Sequence, residues 1–219
     1  MALQLYFHPF SSYCQKVLIA LYENAIAFEP RSLDGRDNPA MRELAELWPI
    51  KKFPVLVDGE RTIFEATSII DYLGVHRPGP VRLIPENADA ALDVRMLDRF
   101  FDNYISTPQQ RIVFNALRPP EHRNPADVQQ ARDMLDTSYD WLEKRMATRE
   151  WATDAGFSLA DCAAAPFLFY ADWTHAIGPS RPNLTAYRQR LLARPSFARA
   201  VDEARPYRSY FPLGAPDRD

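Results

Sequence analysis

Between Leu3 and Leu21 the apolar residues change their period. Leu3, Leu5 and Phe7 alternate, which is the spacing of a strand, and beyond Pro9 the apolar positions fall at Val17, Leu18 and Leu21, which is the spacing of a helix. A strand therefore turns directly into a helix. At that turn stand Ser11, Ser12, Tyr13 and Cys14. Hydroxyl and thiol groups thus sit where the first helical N–H groups and the positive end of the helix dipole favour an anion. A thiolate is the anion these residue types suggest. The plainer account of Ser11 or Ser12 is an N-cap, which is what most serines in front of a helix are, and both accounts stand at this point.

The order Ser-Ser-Tyr-Cys has the form of a C-x-x-C with its first cysteine replaced by serine, at a strand-to-helix turn as in thioredoxin-like redox sites. Only two cysteines, Cys14 and Cys162, occur among the 219 residues, and they are far apart. They cannot form a metal cluster or a disulfide framework, and reduced thiols are the expectation. With 47% hydrophobic and 25% charged residues the chain has an ordinary globular composition, long enough for two small domains. A net charge of -3 with scattered basic residues gives no electrostatic footprint for nucleic acid. No run approaches the roughly eighteen apolar residues of a membrane span, and the first residues lack the basic region of a secretory signal. A cytoplasmic protein with no bound metal, no nucleic-acid partner and no membrane partner is expected.

Along the chain, Ala27–Arg31 reads as a second strand and Pro39–Trp48 as a helix with apolar residues at Met41, Leu44, Ala45 and Trp48. Phe53–Val57 and Arg61–Phe64 flank Asp58-Gly59, a strong hairpin signal. A helix from about Ala66 to Val75 follows, so the first half reads β-α-β-α-β-β-α. Pro54 stands at the start of a strand, where proline is tolerated without any role. A cis peptide there would instead leave the neighbouring backbone groups free for an extended ligand.

His76 to Pro85 is a Pro-rich connector, and no convincing strand appears beyond it. Helical stripes run from Asp89 to about Val113 and from Ala126 to Met146, and such stripes are far more often core than ligand box. Phe157-Ser158-Leu159-Ala160-Asp161 is a capping box ahead of the apolar run Cys162–Tyr170. The expected division is 1–77, a linker over 78–87, and an all-helical 88–219.

Three stretches in this order resemble the cytosolic glutathione transferase superfamily, and the resemblance covers nearly the whole chain. Ser11 to Leu21 looks like the serine-type active-site turn of its theta- and zeta-like classes. Pro49-Ile50-Lys51-Lys52-Phe53-Pro54-Val55-Leu56 is similar to N-P-x-G-K-V-P-x-L, with Lys51 in place of the glycine. Glu65-Ala66-Thr67-Ser68-Ile69-Ile70-Asp71-Tyr72-Leu73 is similar to E-S-x-A-I-x-x-Y-L, with Ala66 in place of the serine. The capping box and Arg190–Phe197 resemble the family's helical second domain.

The resemblance implies an α/β thioredoxin-like domain followed by an all-α domain, with glutathione as co-substrate and a homodimer as the assembly. It implies that Ser11 donates a hydrogen bond to the glutathione thiolate, and that Ser12, Lys52, Phe53, Pro54, Val55, Glu65 and Ala66 complete the glutathione site. Pro54 would be cis, Val55 would pair its backbone with the cysteinyl part, and Lys52 would lie near the glycyl end. Phe10, Tyr104, Tyr170 and Trp173 are candidates for the wall of a hydrophobic electrophile site between the domains, although each also fits a plain core role. The expected activity is detoxifying conjugation of a hydrophobic electrophile. A glutathione-dependent disulfide or peroxide reductase, an isomerase, or a non-catalytic binding protein on the same scaffold are the alternatives.

Overall fold

The computed structural model describes residues 2–35 and 38–219. Its first part contains β1 (Gln4–Phe7), α1 (Ser12–Glu23), β2 (Glu29–Ser32), α2 (Pro39–Leu47), β3 (Val55–Asp58), β4 (Arg61–Phe64) and α3 (Ala66–His76). The strands form one sheet in the order β2-β1-β3-β4, with β1 parallel to β2 and antiparallel to β3. The second strand begins later than the apolar pattern suggested. Gln4 is the first residue of β1 and pairs with Glu29, so Ala27 and Phe28 have no strand residue opposite them.

Side-chain alternation sorts the sheet into two faces. Leu5 and Leu56 are wholly buried with α1 and α3, while Tyr6 and Val55 pack against Leu44 of α2 on the other side. The hairpin between β3 and β4 turns at Gly59, whose φ of 62° is one that a residue bearing a Cβ adopts only at a cost. After α3 the chain lies against the end of α1. There Asn24 Oδ1 accepts the Val81 N–H at 2.9 Å, and a Cβ on Gly79 would come within 2.4 Å of that same oxygen.

The second part is helical: α4 (Ala88–Phe100), a π-helical segment (Phe101–Ser106), α5 (Thr107–Leu117), α6 (Pro125–Met146), α7 (Leu159–Thr174), α8 (Pro182–Leu192) and α9 (Pro195–Ala204), ending in a 3-10 segment (Arg205–Tyr210). No helix among the described residues is long and apolar enough to cross a membrane. The single helix expected over 89–113 is thus interrupted. Pro108 has no N–H to donate, and its ring excludes the carbonyl four residues back. Widening the preceding turns relieves the clash: the Thr107 amide bonds the carbonyl of Asp102, and its hydroxyl donates to the same oxygen at 3.0 Å.

Helix α7 is buried from Leu159 to Trp173 and forms the axis of the helical part. The expected capping box starts it. Asp161 accepts from the Ser158 amide at 2.9 Å, the Ala152 amide at 2.9 Å and the Tyr187 hydroxyl at 2.7 Å. Phe157 packs edge-on against Trp151 and under the Arg194 guanidinium.

The two parts share α1. Its residues from Cys14 to Leu21 are all buried, because one side faces the sheet and α3 while the other meets α7 and α9. Lys16 lies inside this contact, paired with Asp98 of α4, each side chain being 1% exposed. The Thr67 hydroxyl of α3 accepts from Lys16 at 2.8 Å and donates to Asp98 at 2.8 Å. Removing one member of such a pair strands a charge out of water. Asp98→Leu alone should therefore cost about 3–5 kcal/mol of stability, and Lys16→Met less, because Arg99 still lies 3.3 Å from the Asp98 carboxylate. The double variant should cost clearly less than the sum, a non-additivity that urea denaturation of the three proteins will measure.

Candidate active site

Where β1 hands over to α1, the chain makes a tight turn, and the Ser11 amide donates to the His8 carbonyl at 3.0 Å. Ser11 is the N-cap of α1, with extended φ and ψ of −82° and 123°, and its Oγ accepts from the Cys14 amide at 3.4 Å. The capping account is therefore correct, and it does not compete with the other. A hydroxyl that uses a lone pair to cap its helix still has its proton to donate. The amides of Ser12 and Tyr13 have no hydrogen-bond partner among the described residues, so the positive end of α1 opens outward beside that hydroxyl.

Among the neighbouring groups Tyr13, Cys14 and Tyr6 are committed elsewhere, whereas the Ser12 hydroxyl has no hydrogen-bond partner among the described residues. The Tyr13 hydroxyl donates to Asp102, and burial together with that carboxylate pushes its pKa up to about 12. Cys14 is wholly buried, and burial pushes its thiol up to about 12 as well. Tyr6 faces the opposite side of the sheet and donates to Glu43 at 3.0 Å.

Ser11 opens onto a cleft of about 680 Å³ between the sheet and the helices. Phe10, Ser11, Ser12, Lys52, Phe53 and Pro54 line it, as do Glu65, Ala66 and Tyr170. The Phe53–Pro54 peptide is cis. The amide and carbonyl of Phe53 make no hydrogen bond among the described residues. Val55 is different. It lies in β3 between Tyr6 of β1 and Phe64 of β4, fully buried, so its backbone belongs to the sheet and not to the cleft. The free backbone next to Pro54 is that of Phe53.

Two residues lining the cleft hold left-handed backbones that glycine would adopt more easily. Lys51 has a φ of 58°, at the position where the resembling pattern has glycine, and Glu65 has a φ of 65° immediately before α3. Each costs on the order of 1 kcal/mol. Glu65 does not cap its own helix and is exposed, leaving its carboxylate and the start of α3 facing the same cleft as the start of α1. Ala66 brings only a methyl group, and the adjacent Thr67 hydroxyl is engaged by Lys16 and Asp98.

Two of the expected wall residues do not reach the cleft. Tyr104 is 47% exposed on the outer side of the π-helical segment, its ring tilted against that of Phe100. Trp173 is buried behind Tyr170, against Phe169 and Phe211. The wall is built instead from Trp48, Val113, Phe114, Leu117, Tyr210 and Phe211. Phe114 and Leu117, on α5, are more than half exposed and lie beyond the stripe read from the sequence, which ends at about Val113. Tyr210 and Phe211 carry no periodic signal at all and reach the cleft only because the chain end folds back over α7. Tyr170 is held in place by Gln15, whose amide donates to its hydroxyl at 3.1 Å and to the Pro9 carbonyl at 2.9 Å.

A helix N-terminus with a free hydroxyl, a second helix start beside it and an aromatic wall opposite make a site for a small anionic thiol and an apolar partner. Comparison with known proteins agrees on the class. The family model "Glutathione S-transferase, N-terminal domain" matches residues 5–81, and "Glutathione S-transferase, C-terminal domain" matches residues 109–195. Glutathione S-transferase theta-1 of Bos taurus is 27% identical over 88% of this chain and 83% of its own length. A probable maleylacetoacetate isomerase of Vibrio cholerae is 28% identical over 94% and 98%. A glutathione S-transferase of Methylobacterium radiotolerans, crystallised in complex with glutathione sulfonate, superposes with a TM-score of 0.79 at 25% identity, over 92% of this chain and 95% of that one. This chain belongs to the glutathione transferase superfamily, with its thioredoxin-like part first and its helical part second.

The burial of Cys14 makes a chemical prediction. A thiol held protonated and out of solvent is a poor nucleophile. In the native protein Cys14 should resist iodoacetamide at neutral pH and become modified only in denaturant, as peptide mass spectrometry will register.

Proposed function

We propose that this chain is a glutathione transferase that activates the thiol of glutathione at Ser11 for attack on a hydrophobic electrophile. The observation that supports this reading most is the uncommitted proton of Ser11, beside the open end of α1, at the edge of an aromatic-walled cleft. An ordinary thiol, with a pKa of about 8.5, is mostly protonated at neutral pH. Lowering it by about two units takes about 2.7 kcal/mol of preferential stabilisation of the anion. A hydrogen bond to a charged group contributes roughly 1.5–3 kcal/mol and the helix dipole roughly 0.3–1. Together they suffice. The thiolate then forms a bond from sulfur to the electrophilic carbon while the leaving group departs with its electron pair, and the thiol proton goes to solvent.

In this reading residues 1–77 bind glutathione, 78–87 connect, and 88–219 supply the electrophile wall. Lys52 lies towards the glycyl carboxylate, and the exposed backbone of Phe53 pairs with the cysteinyl unit. Glu65 meets the γ-glutamyl amine, and the amide of Ala66 meets the γ-glutamyl carboxylate. The relative named a probable maleylacetoacetate isomerase favours one second reading, in which the same thiolate adds to an unsaturated substrate and is later expelled. A reductase using Cys14 is disfavoured by that residue's burial. Cytoplasmic detoxification is the cellular role that goes with conjugation.

We also propose a homodimer. Leu92, Met96 and Tyr104 form an exposed apolar row along α4 and the π-helical segment, at 65%, 54% and 47%, and Trp141 of α6 adjoins it through Phe100. A second copy around a twofold axis would cover it.

Two measurements test these readings. Ser11→Ala should lower kcat for a chromogenic aryl halide by roughly tenfold to a hundredfold, with glutathione affinity nearly unchanged, because the hydroxyl acts on the thiolate more than on the bound tripeptide. Loss of activity on Ser12→Ala with Ser11→Ala silent would reassign the donor. Sedimentation equilibrium at micromolar concentration should give twice the chain mass, and a monomer would remove the proposed assembly.

A further inference from the structure

His8 occupies the turn that carries Ser11 and takes no part in the chemistry above. Its backbone carbonyl accepts the Ser11 amide at 3.0 Å, and its ring Nδ1 accepts the Phe10 amide at 3.1 Å. The ring thus closes a turn on the second amide after it, as an asparagine side chain does in an Asx-turn. An Nδ1 that accepts a hydrogen bond carries no proton, so the geometry sets the tautomer: the ring is neutral with its proton on Nε2.

The surroundings of the ring are specific. Nε2 lies 4.0 Å from Asp34, in the loop after β2. Tyr207 packs edge-on at 4.7 Å between centroids, and Tyr210 lies at 6.1 Å. The Tyr207 hydroxyl donates to the other oxygen of Asp34 at 3.2 Å, and Met41 of α2 completes the niche. Asp34, Tyr207 and Tyr210 are the titratable or charged groups facing the ring among the described residues. Several of its neighbours build the cleft: Phe10 lies edge-on to Tyr170 in the aromatic wall, Tyr210 lines the same cleft, and Ser11 follows Phe10 directly.

We propose that His8 is a positioning residue of this site: its neutral imidazole, accepting the Phe10 amide at Nδ1, holds the turn in the shape that aims the Ser11 hydroxyl at the thiol, and protonation at Nδ1 releases that turn. The proposal rests on the reading of Ser11 as thiolate donor. Release follows from valence, since a protonated Nδ1 is a donor and meets the Phe10 N–H, another donor, head-on. Burial holds the His8 pKa below its ordinary value of 6.5, with Asp34 opposing in part. The sign is then fixed: the ring is neutral and the turn closed at neutral pH, and the bond is lost as pH falls through a value below 6.5.

Three variants and two readouts test it. In His8→Asn the side-chain oxygen occupies the place of Nδ1, one bond beyond Cγ, and accepts the same amide without titrating; His8→Ala offers no acceptor, and His8→Phe keeps a ring without one. At about pH 7.5, His8→Ala and His8→Phe should lose roughly threefold to tenfold in kcat/KM, the loss of one hydrogen bond of ordinary strength. The ultraviolet titration of bound glutathione should show a raised thiol pKa in both. His8→Asn should stay within about twofold of wild type, and its advantage over wild type should grow on going to about pH 5.5. A merely structural role would move thermal stability without moving the thiol pKa. The second readout needs no activity: in ¹⁵N NMR of the wild-type protein, His8 Nδ1 should report an unprotonated nitrogen at neutral pH, and the Phe10 amide should shift with the same midpoint as the ring. A protonated Nδ1 at neutral pH, a Phe10 amide indifferent to the titration, or a folded His8→Ala with wild-type thiol pKa would each overturn the proposal. If no variant, wild type included, lowers the thiol pKa of glutathione, the reading of Ser11 fails, and the NMR arm still decides what His8 does to the turn.

Discussion

Helix α1 is a core element of two layers at once. Its residues Cys14 to Leu21 are closed in by the sheet and α3 on one side and by α7 and α9 on the other, which leaves only its two ends in contact with solvent. A helix so enclosed cannot tilt or slide without disturbing both layers. Its N-terminus is therefore a fixed point, and the unpaired amides and the cap hydroxyl at that end are held in place on the wall of the cleft. The Lys16–Asp98–Thr67 cluster sits in the middle of the same contact and joins α1, α4 and α3 with every charge partnered. Thr67 is the second residue of α3, so this tie also fixes the other helix start that opens onto the site.

Burial also decides which groups at the turn are committed. Four adjacent residues carry hydroxyl or thiol groups, and chemical type alone does not separate them. Position in the helix sets Tyr13 and Cys14 apart from the two serines. Tyr13 points towards Asp102 and gives its proton to that carboxylate, while Cys14 points into the core, where desolvation keeps it protonated. Ser11, at the cap, has its oxygen used by the helix and its proton left over. Capping leaves Ser11 able to serve as the proposed donor, because the two roles use opposite halves of a hydroxyl group.

The far wall depends on ties between distant parts of the chain. Gln15 of α1 holds the Tyr170 hydroxyl of α7, and Asp102 of the π-helical segment holds Tyr13. The chain end is strapped down by Arg205 and Arg208 on Asp219 and by Arg218 on Asp172, which keeps Tyr210 and Phe211 over the cleft. Each is a polar contact whose partners lie in different elements, so each couples the shape of the cleft to the packing of the whole.

The local elements were legible in the chain because their causes are local. The alternation of Leu3, Leu5 and Phe7, the helical spacing after Pro9, the Asp58-Gly59 turn and the Ser158–Asp161 box each act over a few residues, and the α/β layer followed by helices follows from them. Misreadings arose where a distant partner decided. Pairing with Gln4 set the start of β2, and the crowding of Pro108 against the turns before it made a π-helical segment out of an unbroken stripe. Val55 had the right neighbours in sequence for a ligand contact, yet it sits between two strands, and Phe53 carries the free backbone. Tyr104 and Trp173 shared a helical stripe and an aromatic character with true wall residues, but which side of α7 or of the π-helical segment faces the cleft is set by how the helices pack. Sequence alone thus determined the elements and the hydroxyl-bearing turn, since period, capping and turn chemistry are properties of neighbours. Only tertiary structure decided that Tyr13 and Cys14 are committed elsewhere and which aromatic rings form the wall, because both depend on what burial and remote partners leave exposed.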